Sequence, residues 1–228
     1  MKNEREEIFK LFLDQTELSF AKIEKSLKIK SNMLAYHLEK MQTEGLVKKE
    51  GLNYKLTKNG EKYIPVFTHV VGQELSPLPV VLVALMHKDK LLLIKRNKRP
   101  YKDYWSLIGG KMLLEETFET TCLRLVKEKS GLDGKYESIN VVLHERVEDE
   151  GTIKHSFILF FTKMKTLQTK FEESEHGELK WFNLKDIEKE KVIPSDLWLI
   201  KHKLNARISL KTVLMQDKEG ELSSFKIV

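Results

Sequence analysis

The segment "LIGGKMLLEETFETTCLRLVKEKSGL", Leu107 to Leu132, concentrates residue types that could do chemistry: Gly109 and Gly110, then Glu116, Arg124, Glu128 and Lys129, closed by Gly131. Its middle reads as a helix over about 116 to 130, on which side chains three or four positions apart share a face. Carboxylates gathered on one face hold a divalent cation through oxygen. Arginine and lysine instead hold phosphate directly, by charge-assisted hydrogen bonds. A second concentration lies nearer the amino terminus. Between residues 22 and 58 nine lysines face four glutamates, a local charge of +5 where the whole chain carries +6. Such a surface suits a polyanionic partner.

The elements that must position these groups follow from the rest of the chain. Its 228 residues allow one large or two small domains with real cores, and 41% hydrophobic against 32% charged residues describes a folded protein with a heavily charged surface. The first residues, "MKNEREEIFK", form no apolar signal segment, and the longest apolar run, "LPVVLVALM", falls well short of the roughly 20 residues that a membrane helix needs. A cytoplasmic protein with no membrane partner is expected. The lone Cys122 excludes an intramolecular disulfide, fits a reducing compartment and is expected in the core. The seven histidines show no metal-ligand spacing.

Residues 4 to 14 place Ile8, Phe9, Leu11, Phe12 and Leu13 on one apolar face, a first helix. A second is expected in "SFAKIEKSLKI", capped by Ser19, and a third in "SNMLAYHLEKMQTEG", capped by Ser31, with Leu34, Leu38 and Met41 inward and Gly45 as its stop. "LVKKEGLNYKLT" reads as a small hairpin, and Thr57 opens a fourth helix made irregular by Gly60 and Pro65. "SPLPV", Ser76 to Val80, reads as a linker. Beyond it lie strands in "VVLVALMH", "KLLLIKR", "YESINVVLHERVE" and "KHSFILFFTKM", with helices at about 116 to 130 and 195 to 204. Mixed strands with a sandwiching helix make an α/β or α+β layer domain, and the expected class of the whole chain is α+β.

The first third resembles the winged helix-turn-helix domains of small bacterial and archaeal repressors, through His37, Leu38, Met41, Gly45, Leu46, Val47, Tyr54, Leu56, Thr57 and Gly60. That resemblance implies that the third helix enters the major groove of double-stranded DNA, with Lys30, Ser31, Asn32, Tyr36, His37 and Lys40 near base edges and Lys48, Lys49 and Lys55 on phosphates. The alternative is a protein-docking or dimerisation module.

The opening segment resembles the box of the Nudix superfamily: Gly110, then Glu116, Arg124, and closure on Gly131 and Leu132. "LLLIKRNKRPYKDYWSLIGGK" and "EHGELKWFNLKDI" extend the match over about residues 78 to 190. The resemblance implies an α/β/α sandwich with a mixed sheet, and a helix that presents three carboxylates to Mg²⁺. In this chain those three positions are Leu125, Glu128 and Lys129. A lysine there repels the metal instead of binding it. Glu116 and Arg124, which brace the loop against the helix in the family, are kept. Ligand contacts carried over from the family fall on Arg96, Trp105, Lys111, Glu128 and Lys129. Trp105 is read either as a stacking surface for a base or as core.

Two domains and a tail are therefore expected: a winged helix-turn-helix over 1–76, a Nudix domain over 77–190, and an extension of the Nudix domain over 191–228. The extension comprises a helix and a hairpin turning at Asp217 to Gly220, which completes the sheet or pairs between subunits. The favoured function is a homodimeric transcriptional regulator that senses a nucleotide-like or phosphorylated metabolite and needs no cofactor. The alternative is a Mg²⁺-dependent hydrolase of a nucleoside diphosphate derivative. It would use Glu128 catalytically, with Glu116 and Glu128 on the metal, or carboxylates recruited from Glu115, Glu119, Glu172, Glu173, Glu175 or Glu178. A protein-binding adaptor is the minor third reading.

Overall fold

The computed structural model describes residues 3–63, 76–172, 175–218 and 221–227. Two compact units, Met1–Leu75 and Ser76–Val228, divide the chain.

In the first unit, helix α1 (Asn3–Leu11) is followed by a short strand β1 (Glu17–Ser19), helices α2 (Phe20–Leu27) and α3 (Ser31–Thr43), strands β2 (Val47–Glu50) and β3 (Asn53–Leu56), and a single turn α4 (Lys58–Glu61). Ile8, Phe9, Phe12, Ile23, Leu34, Leu38 and Met41 meet Leu18, Val47 and Tyr54 in one apolar core. Ser19 caps α2 by accepting a hydrogen bond from the Lys22 amide, and Thr57 caps α4 through the Gly60 amide. The α2–α3 turn is only three residues long because Lys28 takes a left-handed conformation at φ 52°.

One expectation is corrected here, one strand is added, and one expectation reaches beyond the described residues. Ser31 does not cap α3: the cap position is Lys30, without a side-chain hydrogen bond, and the Ser31 hydroxyl is turned to Glu24. Strand β1 was not foreseen, because three residues are too few to show alternation; it pairs antiparallel with β3 to give a three-stranded sheet of order β1-β3-β2. The helix expected from Thr57 is described only as far as Glu61, and its continuation across residues 64–75 lies outside the described residues.

The second unit is built on a seven-stranded mixed sheet. Its path runs β10 (Gly177–Asn183), β5 (Lys90–Arg96), β4 (Leu78–His87), β9 (Thr152–Lys165) and β8 (Lys135–Asp149), with β6 (Trp105–Ser106) on β5 and β7 (Ile108–Gly110) on β4. The β4–β9 pair is parallel and the others antiparallel. Alternation along β4 sends Val81, Val83 and Leu85 to one face and Leu82, Ala84 and Met86 to the other. The first face packs on Cys122, Leu125 and Val126 of helix α5 (Phe118–Ser130). The second packs on Leu199 and Ile200 of helix α6 (Pro194–Lys203). Helix, sheet and helix form three layers.

The tail hairpin, β11 (Val213–Lys218) and β12 (Glu221–Ile227), forms a separate two-stranded sheet and does not extend the large one. Residues 219 and 220 of its expected turn lie outside the described residues. Among the described residues no helix is long and apolar enough to cross a membrane.

Candidate functional site

Helix α5 begins and ends by local chemistry. Thr117 and Thr120 form a reciprocal capping box at its start, and Gly131, at φ 69°, closes it with its amide on the Lys127 carbonyl. The loop before it is pinned by one carboxylate. Glu116 accepts from the Arg124 guanidinium at Nε and, at 2.8 Å, at Nη2. It also accepts from the Leu113 amide and the Thr121 hydroxyl, each at 2.9 Å. The Arg124 hydrogen bond, supported by these others, holds the Glu116 carboxyl down at about 2. Arg124 also reaches Glu128 at 3.1 Å and the Lys111 carbonyl at 3.0 Å.

One turn further, two side chains face the strand that carries the glycines. Leu125 is 3% exposed and packs so closely over Gly110 that a Cβ there would lie 2.5 Å from its Cδ2. Lys129, four residues on, donates to the Gly109 carbonyl. Burial, and then the neighbouring Arg96 charge, lower the proton affinity of this ammonium. Glu128 lies off that face, exposed and joined to Arg124.

Above the strand opens a cleft of about 430 Å³. Arg96, Lys111 and Lys129 line it, as do Tyr101, Glu145, His155, Phe157 and Asp196. The Arg96 Nε donates to the Pro100 carbonyl at 2.8 Å. Tyr101 donates to Glu145 at 3.1 Å, and burial followed by the Glu145 charge raises its pKa. Asp196 is buried near the start of α6 and accepts from the Leu107 amide at 2.8 Å; burial pushes its carboxyl up to about 7. Ser195 beside it has a buried hydroxyl without a hydrogen-bond partner among the described residues.

Of the five residues expected at a ligand, Arg96, Lys111 and Lys129 therefore come together, and two do not. Trp105 is 5% exposed, edge-on to Phe182 at 4.9 Å, so it is core, where its backbone bonds to Lys191 and Ile193 position the entry to α6. Glu128 is drawn away by Arg124. None of Glu115, Glu119, Glu172, Glu175 and Glu178 lines the cleft, and Glu173 lies outside the described residues. Asp196, Glu145 and Tyr101 were missed. Alternation in "LHERVED" could have set Glu145 beside Leu143 and Val147, but nothing local marks Asp196 as buried.

In the first unit Lys30, Ser31, Asn32, Tyr36 and Lys40 are exposed on or at the start of α3, with Tyr36 at 48%. His37 is 3% exposed, on the inward face with Leu34, Leu38 and Met41, and is corrected from a surface contact to a core residue. Lys48 and Lys49 are exposed on β2. Glu50 pairs with Lys48 at 2.6 Å and with Lys55 at 3.0 Å, and Glu17 also reaches Lys55.

The family profile described as NUDIX domain matches residues 76–202. The chain belongs to the Nudix family. The chain is similar to the ADPR responsive transcriptional repressor NtrR of Acinetobacter baylyi, 30% identical over 116 residues, which is 48% of this chain and 46% of that one. The ADP-ribose pyrophosphatase of Methanocaldococcus jannaschii is 41% identical over 63 residues, 27% of this chain and 37% of that one. The chain thus spans less than half the length of these two curated relatives. A fold match joins it to the NUDIX domain of Shewanella oneidensis NrtR complexed with ADP ribose, at TM-score 0.51 and 20% identity, covering 64% of this chain and 96% of that one.

Hydrolases of this family use Mg²⁺, and the residues present do not fit it. Two of the three expected donors are an alkyl chain and an ammonium, and the third, Glu128, is turned to a guanidinium. Glu116 is committed to Arg124, Leu113 and Thr121. Among the described residues no group of three His, Cys, Asp or Glu side chains converges to hold a metal ion.

Proposed function

We propose that the chain is a transcriptional regulator: its first unit binds double-stranded DNA as a winged helix-turn-helix, and its Nudix domain binds a nucleoside diphosphate derivative of the ADP-ribose type without hydrolysing it. The inward face of α5 carries this reading. Leu125 and Lys129 occupy that face against Gly110 and Gly109, so an apolar side chain and an ammonium stand where a hydrolase would collect its metal. The similarity to an ADPR responsive repressor supports the ligand class. For the first unit, support comes from the three-residue turn between α2 and α3, the exposed face of α3 with Lys30, Asn32, Tyr36 and Lys40, and the lysines of the β2–β3 hairpin, which serve as recognition helix and wing. In this reading the protein works as a homodimer on two half-sites.

The test is to select duplexes that bind the full chain, then to measure their affinity with and without ADP-ribose by fluorescence anisotropy. A shift of about 5- to 150-fold is expected, with DNA changing ADP-ribose affinity by the same factor. Binding that ignores salt, or its absence at low salt, removes the DNA claim. Unchanged DNA affinity with ADP-ribose bound removes the sensor claim.

A hydrolase is the second reading, favoured by the retained Glu116–Arg124 brace and by the likeness to an ADP-ribose pyrophosphatase. Turnover with Mg²⁺ at about 1 s⁻¹ or faster, abolished by Glu128→Gln, would put it in place of the first.

A further inference from the structure

The cleft does not end at Lys129. A smaller recess of about 150 Å³ adjoins it, and the two share Arg96, Ser106, Leu107, Gly109 and Lys129 as a common wall. The two cavities differ in chemistry. Apolar side chains such as Val80, Leu82 and Phe157 line the larger one, together with Glu145 and Asp196. The smaller adds Asn97, Lys98 and His176 to the shared Arg96 and Lys129, and among the described residues no carboxylate side chain lines it. A ligand with an organic body and a diphosphate fits this division, body in the cleft and diphosphate at the junction.

We propose that Lys129 is a built-in cation: held at the junction by the Gly109 carbonyl, its ammonium takes the diphosphate of the ligand where a metal ion would otherwise be required, so that binding is independent of metal. The proposal rests on the reading of the cleft as a site for a diphosphate-containing ligand. Three features support it. The lysine ammonium carries three N–H donors and the Gly109 carbonyl takes one. Arg96 is likewise anchored through a carbonyl, that of Pro100, so among the described residues neither cation is neutralised by an ion pair. The two like charges repel each other, a tension that an anion between them relieves. Leu125 on the same helix face then makes sense, since a carboxylate beside Lys129 would compete with the ligand for it.

Calorimetric titration of the full chain with ADP-ribose and with inorganic pyrophosphate, first in EDTA and then in Mg²⁺, tests this. Both probes should bind in EDTA, and Mg²⁺ should not strengthen ADP-ribose binding. Lys129→Gln should weaken both probes by about 10- to 100-fold with an unchanged thermal midpoint, while Lys129→Arg should keep most of the affinity. ADP-ribose binding that requires Mg²⁺ overturns the proposal. If ADP-ribose binds in EDTA equally to the wild type and to Lys129→Gln, the built-in cation is wrong although the nucleotide site stands. If neither probe binds the wild type under either condition, the nucleotide site falls and the proposal with it.

Discussion

Arg124 and Lys129 lie five residues apart on one helix, and their charges are disposed in opposite ways. Arg124 is surrounded by the carboxylates of Glu116 and Glu128, which raise its pKa further. Lys129 is anchored by a neutral carbonyl and keeps its charge for the cleft. A cation saturated by carboxylates is a structural fastener; a cation anchored by backbone or by an aromatic face remains available to an anion. The distinction sorts the basic residues better than a count of lysines does, and it holds in both units. Arg96 sides with Lys129, whereas Lys48 and Lys55 share Glu50.

Leu125 offers the strongest way to break this comparison. It sits in the core beneath Gly110 with Val126 and Cys122, so Leu125→Glu places a carboxylate where no partner waits except Lys129. Taking the carboxylate out of water costs several kcal/mol, of which Lys129 returns only a part, and a net loss of about 3 kcal/mol in a unit of this size lowers the thermal midpoint by roughly 10 °C. Leu125→Met should cost less than about 1.5 kcal/mol. Scanning calorimetry measures both. A fall of under about 3 °C for the glutamate variant would mean that the face is plastic and that a metal-holding array is within easy reach. Should Mg²⁺ then raise the midpoint of the Leu125→Glu, Lys129→Glu double variant, these two positions would be shown to decide whether the face holds a metal ion.

The local chemistry of α5 was legible in the sequence because it depends on neighbours in the chain. Gly131 closes the helix, and Glu116 and Arg124 are spaced to meet across one loop, whereas the Thr117 cap at its start came from the structure. What could not be read was which side of an element turns inward when both sides carry polar residues. His37 lies among exposed lysines in sequence, yet it shares the spacing of Leu34, Leu38 and Met41 and is buried with them. Glu128 keeps the family's residue type but bends to Arg124, a choice made by geometry and not by composition. Asp196 was invisible for a further reason: its partner, the Leu107 amide, is 89 positions away in the chain.

Asp196 also extends the comparison to an acid, since it is anchored by a backbone amide and not by a cation, and its effect should be of middle size. Its carboxyl is pushed by burial up to about 7 from an unfolded value of about 3.9. A raised acid pKa means that the folded state holds the proton more tightly than the unfolded chain. Stability is therefore greatest below about pH 4 for this group and declines as pH rises toward 7. Asparagine can accept the same Leu107 hydrogen bond without titrating. The midpoint of Asp196→Asn relative to wild type should thus climb by at least about 3 °C between pH 4.5 and pH 8, the change that ~1 kcal/mol produces in a unit of this size. Parallel pH profiles for the two proteins would show that Asp196 is charged and satisfied in the fold.

The smallest effects belong to the β2–β3 hairpin, where the two kinds of cation stand side by side. Lys48 and Lys55 are held by Glu50, whose carboxyl they draw below its ordinary range, Lys48 more than Lys55. Lys49 instead lies 5.7 Å above the centre of the Tyr54 ring and keeps its charge for solvent or phosphate. If the hairpin contacts the DNA backbone, Lys49→Ala should lower affinity evenly across sequences and reduce the slope of log K against log salt by about 1. Lys48→Ala should do less, because its charge is already partly spent. Glu50→Gln is the sharper variant: it removes one like charge from the phosphate surface and releases Lys48 toward it, while Lys55 keeps its pairing with Glu17, so binding should tighten and the salt slope should steepen by about 1. Anisotropy titrations over a range of salt, on one selected duplex, would measure all three. Equal slopes for wild type, Lys49→Ala and Glu50→Gln would take the hairpin off the DNA and leave α3 to account for whatever binding remains.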